Sequence, residues 1–245
     1  MTIDQLIALA TSVGACLSAI ATFWTVRQIA KQREASYRPE LVFSRTDFHA
    51  TSHAHKQSAL PTLWTIGRPD DKPAESTRDF AIPLRNVGLG AAKDVAIVWS
   101  FPIDEMIERL NATAQRALVP AYFSRDQLGV SIKSETLGTG TWMWNSHRAK
   151  VSLDFVLPAS VEQEATSVDI PPLYVLLCSA AVFLFFKDRD SKQESSAFEL
   201  PPLAASIAYT DIGNRRHRMS TSLELQISMI AEAEFHASID STKSV

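Results

Sequence analysis

The polarity pattern of the chain opens with a long run free of charge. From Gln5 to Val26 there is no Asp, Glu, Lys or Arg. At about 1.5 Å of rise per residue, such a run is long enough to cross a hydrocarbon core of roughly 30 Å as a helix. The basic residues come after it. Arg27, Lys31, Arg33 and Arg38 follow with Glu34 as the only acid among them, while Asp4 is the only charge before the run. A cleavable signal sequence has the opposite polarity. The pattern predicts one N-terminal transmembrane helix at about residues 5–26, continued as a basic juxtamembrane stalk to residue 38. By the positive-inside rule the N-terminus lies outside and the rest of the chain lies in the cytosol. Phe23 and Trp24 fall near the basic end, where interfacial aromatics belong. A core helix of a larger soluble globule, or a partner-binding helix, is the alternative reading of the same run.

Arg38-Pro39 should end the stalk, because a residue before proline disfavours helix. Beyond it the dominant period is two. Leu41 and Phe43 lead into Arg45, and Phe80, Ile82 and Leu84 share a face. So do Val95, Ile97, Trp99 and Phe101, and again Val151, Leu153, Phe155 and Leu157. The clearest alternation runs from Met219 through Thr221, Leu223, Leu225 and Ile227 to Met229, with polar residues between. Asn86–Gly90 and Asp211–Asn214 read as turns, so residues 205–230 form a β-hairpin. The predicted class is mainly β, an antiparallel β-sandwich-like domain over residues 39–245 with short helices. One such helix is expected at Asp104–Gln115, where Met106, Ile107, Leu110 and Ala114 recur at helical spacing. Residues 47–79 read as a polar insertion, and residues 187–199 as an exposed charged loop. Leu173–Phe186 is apolar throughout and follows Pro171-Pro172. It is short for a membrane span, and a buried helix or strand suits it better; a second span is the alternative.

Within the N-terminal helix, small residues are spaced for close helix packing. Ala10, Gly14 and Ser18 lie four apart, as do Ala15 and Ala19. Thr11, Ser18 and Thr25 recur every seven residues, with Ala15 and Thr22 on the same face. Such a stripe lets two helices approach in lipid, so self-association is expected. A pore lined by its hydroxyls is a sharper version of the same idea.

Composition narrows the picture by exclusion. Of 245 residues, 46% are hydrophobic and 21% charged, which suits a folded globule. A net charge of -3 offers no global signal for nucleic acid. The two cysteines, Cys16 and Cys178, both sit in apolar runs with no metal-ligand spacing around them. The best metal candidates are His49, His53 and His55, but no helix or strand puts all of them on one face, and a solvated polar segment explains them. Gly88-Leu-Gly90 lacks the third glycine and the following helix of a dinucleotide fingerprint, and no phosphate-loop, nucleophile-elbow or HExxH motif occurs. Asp211 is explained as a turn residue. No catalytic residue, metal or cofactor is expected. Two groups remain as contact candidates: Trp142 and Trp144, as core or as a binding hot spot, and the basic cluster Arg215, Arg216 and Arg218 around His217. With the stalk residues, that cluster could face anionic lipid; nucleic acid is a weaker alternative.

Three segments carry a resemblance: Arg38-Pro39-Glu40-Leu41, Asn86-Val-Gly-Leu-Gly-Ala-Ala-Lys-Asp-Val95, and Ile207-Ala-Tyr-Thr-Asp-Ile-Gly-Asn214. In this order the chain is similar to a broad group of small, mostly uncharacterised bacterial membrane-anchored proteins. Its layout also resembles membrane effectors of bacterial antiphage systems. The resemblance implies a non-enzymatic inner-membrane protein. Its cytosolic β domain binds a protein partner or forms a homo-oligomer, and its helix self-associates in membrane lipid to perturb the bilayer. A passive membrane scaffold, and an enzyme completed by the 47–79 insertion, are the competing expectations.

Overall fold

The computed structural model describes residues 3–52, 59–67, 80–145, 149–189, 200–231 and 234–243. Helix α1 (Ile3–Ser36) is continuous through the expected span and stalk, and the chain turns at Tyr37, one residue before Arg38-Pro39. It carries the one helix among the described residues that is long and apolar enough to cross a membrane. Its candidate span is Thr11–Gln32, and none of it is buried in the protein.

Then come β1 (Leu41–Phe43), β2 (Thr46–Thr51), β3 (Leu63–Ile66), β4 (Ala81–Asn86), β5 (Ala92–Ser100) and α2 (Ile103–Arg116). Next are β6 (Ala121–Arg125), β7 (Gly129–Ser134), β8 (Gly140–Met143), β9 (Lys150–Val156) and β10 (Thr166–Asp169). Helix α3 (Pro172–Arg189), β11 (Leu203–Thr210), β12 (Arg216–Ile230) and β13 (Glu234–Lys243) complete the order. Strand outweighs helix, so the protein is mainly β, and its strand ladders are antiparallel. A curled seven-stranded sheet runs β3-β2-β13-β12-β11-β5-β9, flanked by three-stranded sheets β1-β4-β10 and β6-β7-β8.

One continuous core joins these sheets, from Leu41 to Ile239. At its centre is α3. Leu177, Cys178, Ala180 and Leu184 are fully buried, and the helix is apolar on every side. A helix apolar all round is either a membrane span or a core element. Here it is core, and the second-span alternative is set aside. Trp64 Nε1–H donates to Ser179 Oγ at 3.0 Å, and the Ser179 hydroxyl donates to the Pro61 carbonyl at 2.8 Å. Tyr174 packs edge-on to Phe101, and its hydroxyl donates to the Pro201 carbonyl. Each large apolar side chain so enclosed stabilises the fold by about 1.5–3 kcal/mol relative to exposure.

The 47–79 insertion needs correction in both of its described parts. Residues 46–51 and 63–66 are strands of the seven-stranded sheet. Phe48 and Trp64 are buried and stacked at 4.6 Å, with Phe80 and Phe235 edge-on to Trp64. The segment is polar on average, yet each of these two strands carries one large buried aromatic that holds it to the core. Residues 53–58 and 68–79, with His53 and His55, lie outside the described residues. Strand β13 has no counterpart in the expected elements; it buries Phe235, Ala237 and Ile239 with period two.

Candidate functional site: the helix-exit joint

Strand direction gathers three connections at the point where α1 enters the domain. Strand β1 runs away from the helix exit. Strand β4 is antiparallel to it and returns, bringing Asn86 opposite Leu41. Strand β5 leaves again, and both β9 and β11 return antiparallel to it. The β4–β5, β9–β10 and β11–β12 connections therefore stand around Tyr37–Glu40.

Asn86 is the bracket of this joint. It is 1% exposed, and its amide is fully engaged. Oδ1 accepts from the backbone N–H of Glu40 and of Gly88, each at 3.1 Å. Nδ2 donates to the carbonyls of Gly90 at 2.7 Å and Val156 at 3.2 Å. One side chain thus ties the helix exit to the glycine turn and to the end of β9. Aspartate could accept but not donate, and leucine could do neither. The Val87 N–H adds a bond to the Glu40 carbonyl at 2.8 Å.

The glycines of the turn are required by close approach. A Cβ at Gly88 would overlap the Arg38 carbonyl, and one at Gly90 would overlap the Tyr37 carbonyl. The turn therefore lies flat on the backbone leaving α1, and a joint with no intervening side chain has little room to swivel. Gly88-Leu-Gly90 is a structural seat, with β5 and not a helix after it.

The hairpin closes the other side. Tyr209 Oη–H donates to the Pro39 carbonyl at 3.0 Å, and its ring stacks on His217 with centroids 5.2 Å apart. Burial pushes the Tyr209 hydroxyl up in pKa, with Arg38 opposing. In the turn, Asp211 Oδ2 accepts from His217 Nε2–H at 2.8 Å and Oδ1 from the Arg215 N–H at 2.9 Å. The His217 bond, then the Arg215 N–H, holds the Asp211 carboxyl below the usual carboxylate range. A carboxyl depressed on folding stabilises fully above its unfolded value of about 3.9 and loses that contribution as pH falls through the folded one. Thermal midpoints of the intact chain in detergent should therefore differ between wild type and Asp211→Asn at neutral pH. The difference should close only in acid below the ordinary carboxylate range; a difference independent of pH would contradict this role.

The remaining sequence candidates are distributed as follows. On α1, Thr11, Gly14, Ala15, Ser18, Ala19, Thr22 and Thr25 are all exposed. At about 100° per residue, Val13, Ile20 and Trp24 fall on the side away from the Thr11–Ser18–Thr25 line, so between Thr11 and Thr25 the helix has a small face and a larger one. The hydroxyls of Thr11, Thr22 and Thr25 donate to the carbonyls of Ile7, Ser18 and Ala21 at 2.8–2.9 Å, which leaves no unbonded hydroxyl proton among these threonines. Arg27, Lys31 and Arg38 are exposed; the side chains of Ala10 and Arg33 lie outside the described set. Arg215, Arg216 and Arg218 are exposed at the hairpin, so the structure joins the basic cluster to the stalk end through Tyr209 and Pro39.

The tryptophans belong elsewhere. Both are half-buried and packed on the core. Trp142 covers Gly140, and Trp144 meets Phe101 edge-on at 5.1 Å. Trp144 lines a cleft of about 370 Å³ with Trp99, Phe101, Ile103, Asp104 and Arg125, the last two paired at 2.6 Å. His49, read as part of a solvated segment, is instead buried in β2, with the His236 ring 6.2 Å away. Among the described residues no cluster of His, Cys, Asp or Glu could hold a metal ion.

Sequence reasoning singled out neither Asn86 nor Tyr209. Their signal was present only as turn and strand motifs, because each acts on a backbone atom far away in sequence. No protein-family model, no curated protein and no solved structure matches the chain, so the functional reading rests on the geometry of this joint.

Proposed function

We propose that the protein is a non-enzymatic membrane-anchored effector. In this reading α1 spans the bacterial inner membrane with its N-terminus outside, and the β domain stands in the cytosol. Assembly of that domain, through copies of itself or a protein partner, aligns the small faces of neighbouring helices and perturbs the bilayer. The antiphage effectors that the layout resembles would act in this way.

The observation that carries this reading is the short, glycine-seated joint. Asn86, Gly88, Gly90 and Tyr209 all hold the backbone at Tyr37–Glu40. A tether meant only to retain the domain near a membrane needs no such seat, whereas a device that passes domain orientation to a helix does. The small face of α1 supplies the surface on which aligned helices would pack.

The test is expression of the intact chain, and of a version starting at Arg38, with growth and membrane potential followed. The intact chain should arrest growth and depolarise cells, and the truncated one should not. Gly14→Leu should abolish both effects at unchanged abundance, because a Cβ at Gly14 meets nothing within 4 Å in the single chain. If the intact chain is harmless and instead co-purifies with a cytosolic protein, the scaffold reading replaces this one.

A further inference from the structure

The joint end of the domain has two unlike halves. The β9–β10 connection carries exposed Glu162 and Glu164. The β11–β12 hairpin is basic. Arg215, Arg216 and Arg218 are exposed, and the register sets Lys93, Thr210 and Arg216 in one row across β5, β11 and β12. Lys93 Nζ donates to Asn214 Oδ1 at 3.0 Å, holding a further cation against the turn. Asp94 is exposed beside it, but the acid inside the turn, Asp211, already accepts from His217 and the Arg215 N–H. At the apex Ile212 is 55% exposed, and the neighbouring glycine turn presents Val87 and Leu89 at 56% each. Water gains nothing from these apolar tips; a bilayer interface would.

Position adds to chemistry. The candidate span of α1 ends at Gln32, five residues before Tyr37. At ~1.5 Å per residue that is roughly 7 Å, about the thickness of one headgroup layer. Arg27 and Lys31 fall inside that span, and their long stems can carry the charges out to the same layer. With α1 as the anchor, this spacing would put the hairpin near the lipid phosphates and the helix would keep it there, so that even a weak contact is populated.

We propose that the β11–β12 hairpin tip is a lipid-contacting foot. Ile212 enters the headgroup region, and Arg215, Arg216 and Arg218 hold phosphates of anionic lipid in the membrane that carries α1. The foot rests on the membrane-anchor reading above and deepens it. Because Tyr209 ties the hairpin to the helix exit and Asn86 ties that exit to the glycine turn and β9, a planted foot fixes the tilt of the domain, and with it the direction in which the small face of α1 points. The acidic half, with Glu162 and Glu164, is repelled by the same surface and lifts away.

The experiment places a single reporter cysteine, carrying an environment-sensitive dye, in the full chain in nanodiscs containing brominated lipid. Cys16→Ser removes the exposed thiol. Cys178 can stay, since it is fully buried and burial pushes its thiol well up. Reporters are Ile212→Cys, Leu17→Cys on α1, and Met229→Cys, thirteen residues along β12 from Arg216 and thus roughly 44 Å away along the strand. In discs containing phosphatidylglycerol the Ile212 reporter should be quenched several-fold more than in pure phosphatidylcholine. Arg215→Ser, Arg216→Ser and Arg218→Ser together should remove that excess. The Met229 reporter should stay unquenched, and the Leu17 reporter should be quenched in both lipids. Quenching at Leu17 without any at Ile212 overturns the foot and leaves the anchor standing. No quenching at Leu17 overturns both. Equal quenching of Ile212 in the two lipids, or no loss in the arginine variant, overturns the charge-driven contact.

Discussion

Replacing Trp64 by alanine should lower the unfolding free energy of the β domain by about 3–5 kcal/mol, the range for deleting a large aromatic from a core. The indole is 1% exposed. It stacks on Phe48 at 4.6 Å and receives Phe80 and Phe235 edge-on at 5.2 and 5.9 Å, so its removal leaves three rings facing a void. It also takes away the N–H that Ser179 Oγ accepts. Ser179 keeps its bond to the Pro61 carbonyl, which limits the polar part of the loss. Trp64→Phe should recover part of the loss by filling most of the volume without the donor. Chemical denaturation followed by fluorescence of the remaining tryptophans reads all three proteins. A change within about 0.5 kcal/mol for Trp64→Ala, the size expected of a surface substitution, would mean that β3 is not part of the cooperative core.

The second large effect belongs to Asn86. Asn86→Ala strips the partner from two donors and two acceptors at once, Glu40 N–H, Gly88 N–H, Gly90 O and Val156 O. Each buried group left unpaired costs about 1–3 kcal/mol. The Glu40 and Gly88 bonds are only part-buried, and water can replace some of what is lost. A net loss of roughly 3 kcal/mol follows from the two interior carbonyls and the cavity. Asn86→Asp should do no better, since it turns a carboxylate oxygen toward the Gly90 and Val156 carbonyls. The functional signature differs from that of Trp64. Amide exchange at Glu40 and Val87 should rise in Asn86→Ala while the α3 core stays protected, because the joint opens before the domain does. If a toxic intact chain keeps its full effect with an opened joint, the orientation-passing role is wrong even though the anchor remains.

These two sites show different limits of sequence legibility. The apolar run of α1, the helix at Ile103–Arg116 and the hairpin ending in β12 were all readable, because each is a local periodicity between local stop signals. The hairpin strand even kept its face until a register shift between Ile227 and Met229, after which Met229 stands 44% exposed. Residues 47–51 and 63–66 escaped the sequence for the opposite reason. Average polarity hid two short strands whose membership depends on Phe48 and Trp64 finding Phe80 and Phe235, and no local window contains those partners.

What the sequence by itself determined is the class of each long element and its polarity: a membrane-length helix with its cations behind it, and a mainly β remainder broken by turns. Charge-free length and side-chain period are properties of a single segment, so they survive without the fold. Only the tertiary structure decided that α3 is core and not a span. A helix apolar on every side satisfies lipid and protein interior equally, and the choice lies with what surrounds it. Likewise Asn86 and Gly90 read as an ordinary turn until β4 returns beside β1. They become a joint because a side-chain amide and a missing Cβ act only on whatever backbone the fold brings within about 3 Å.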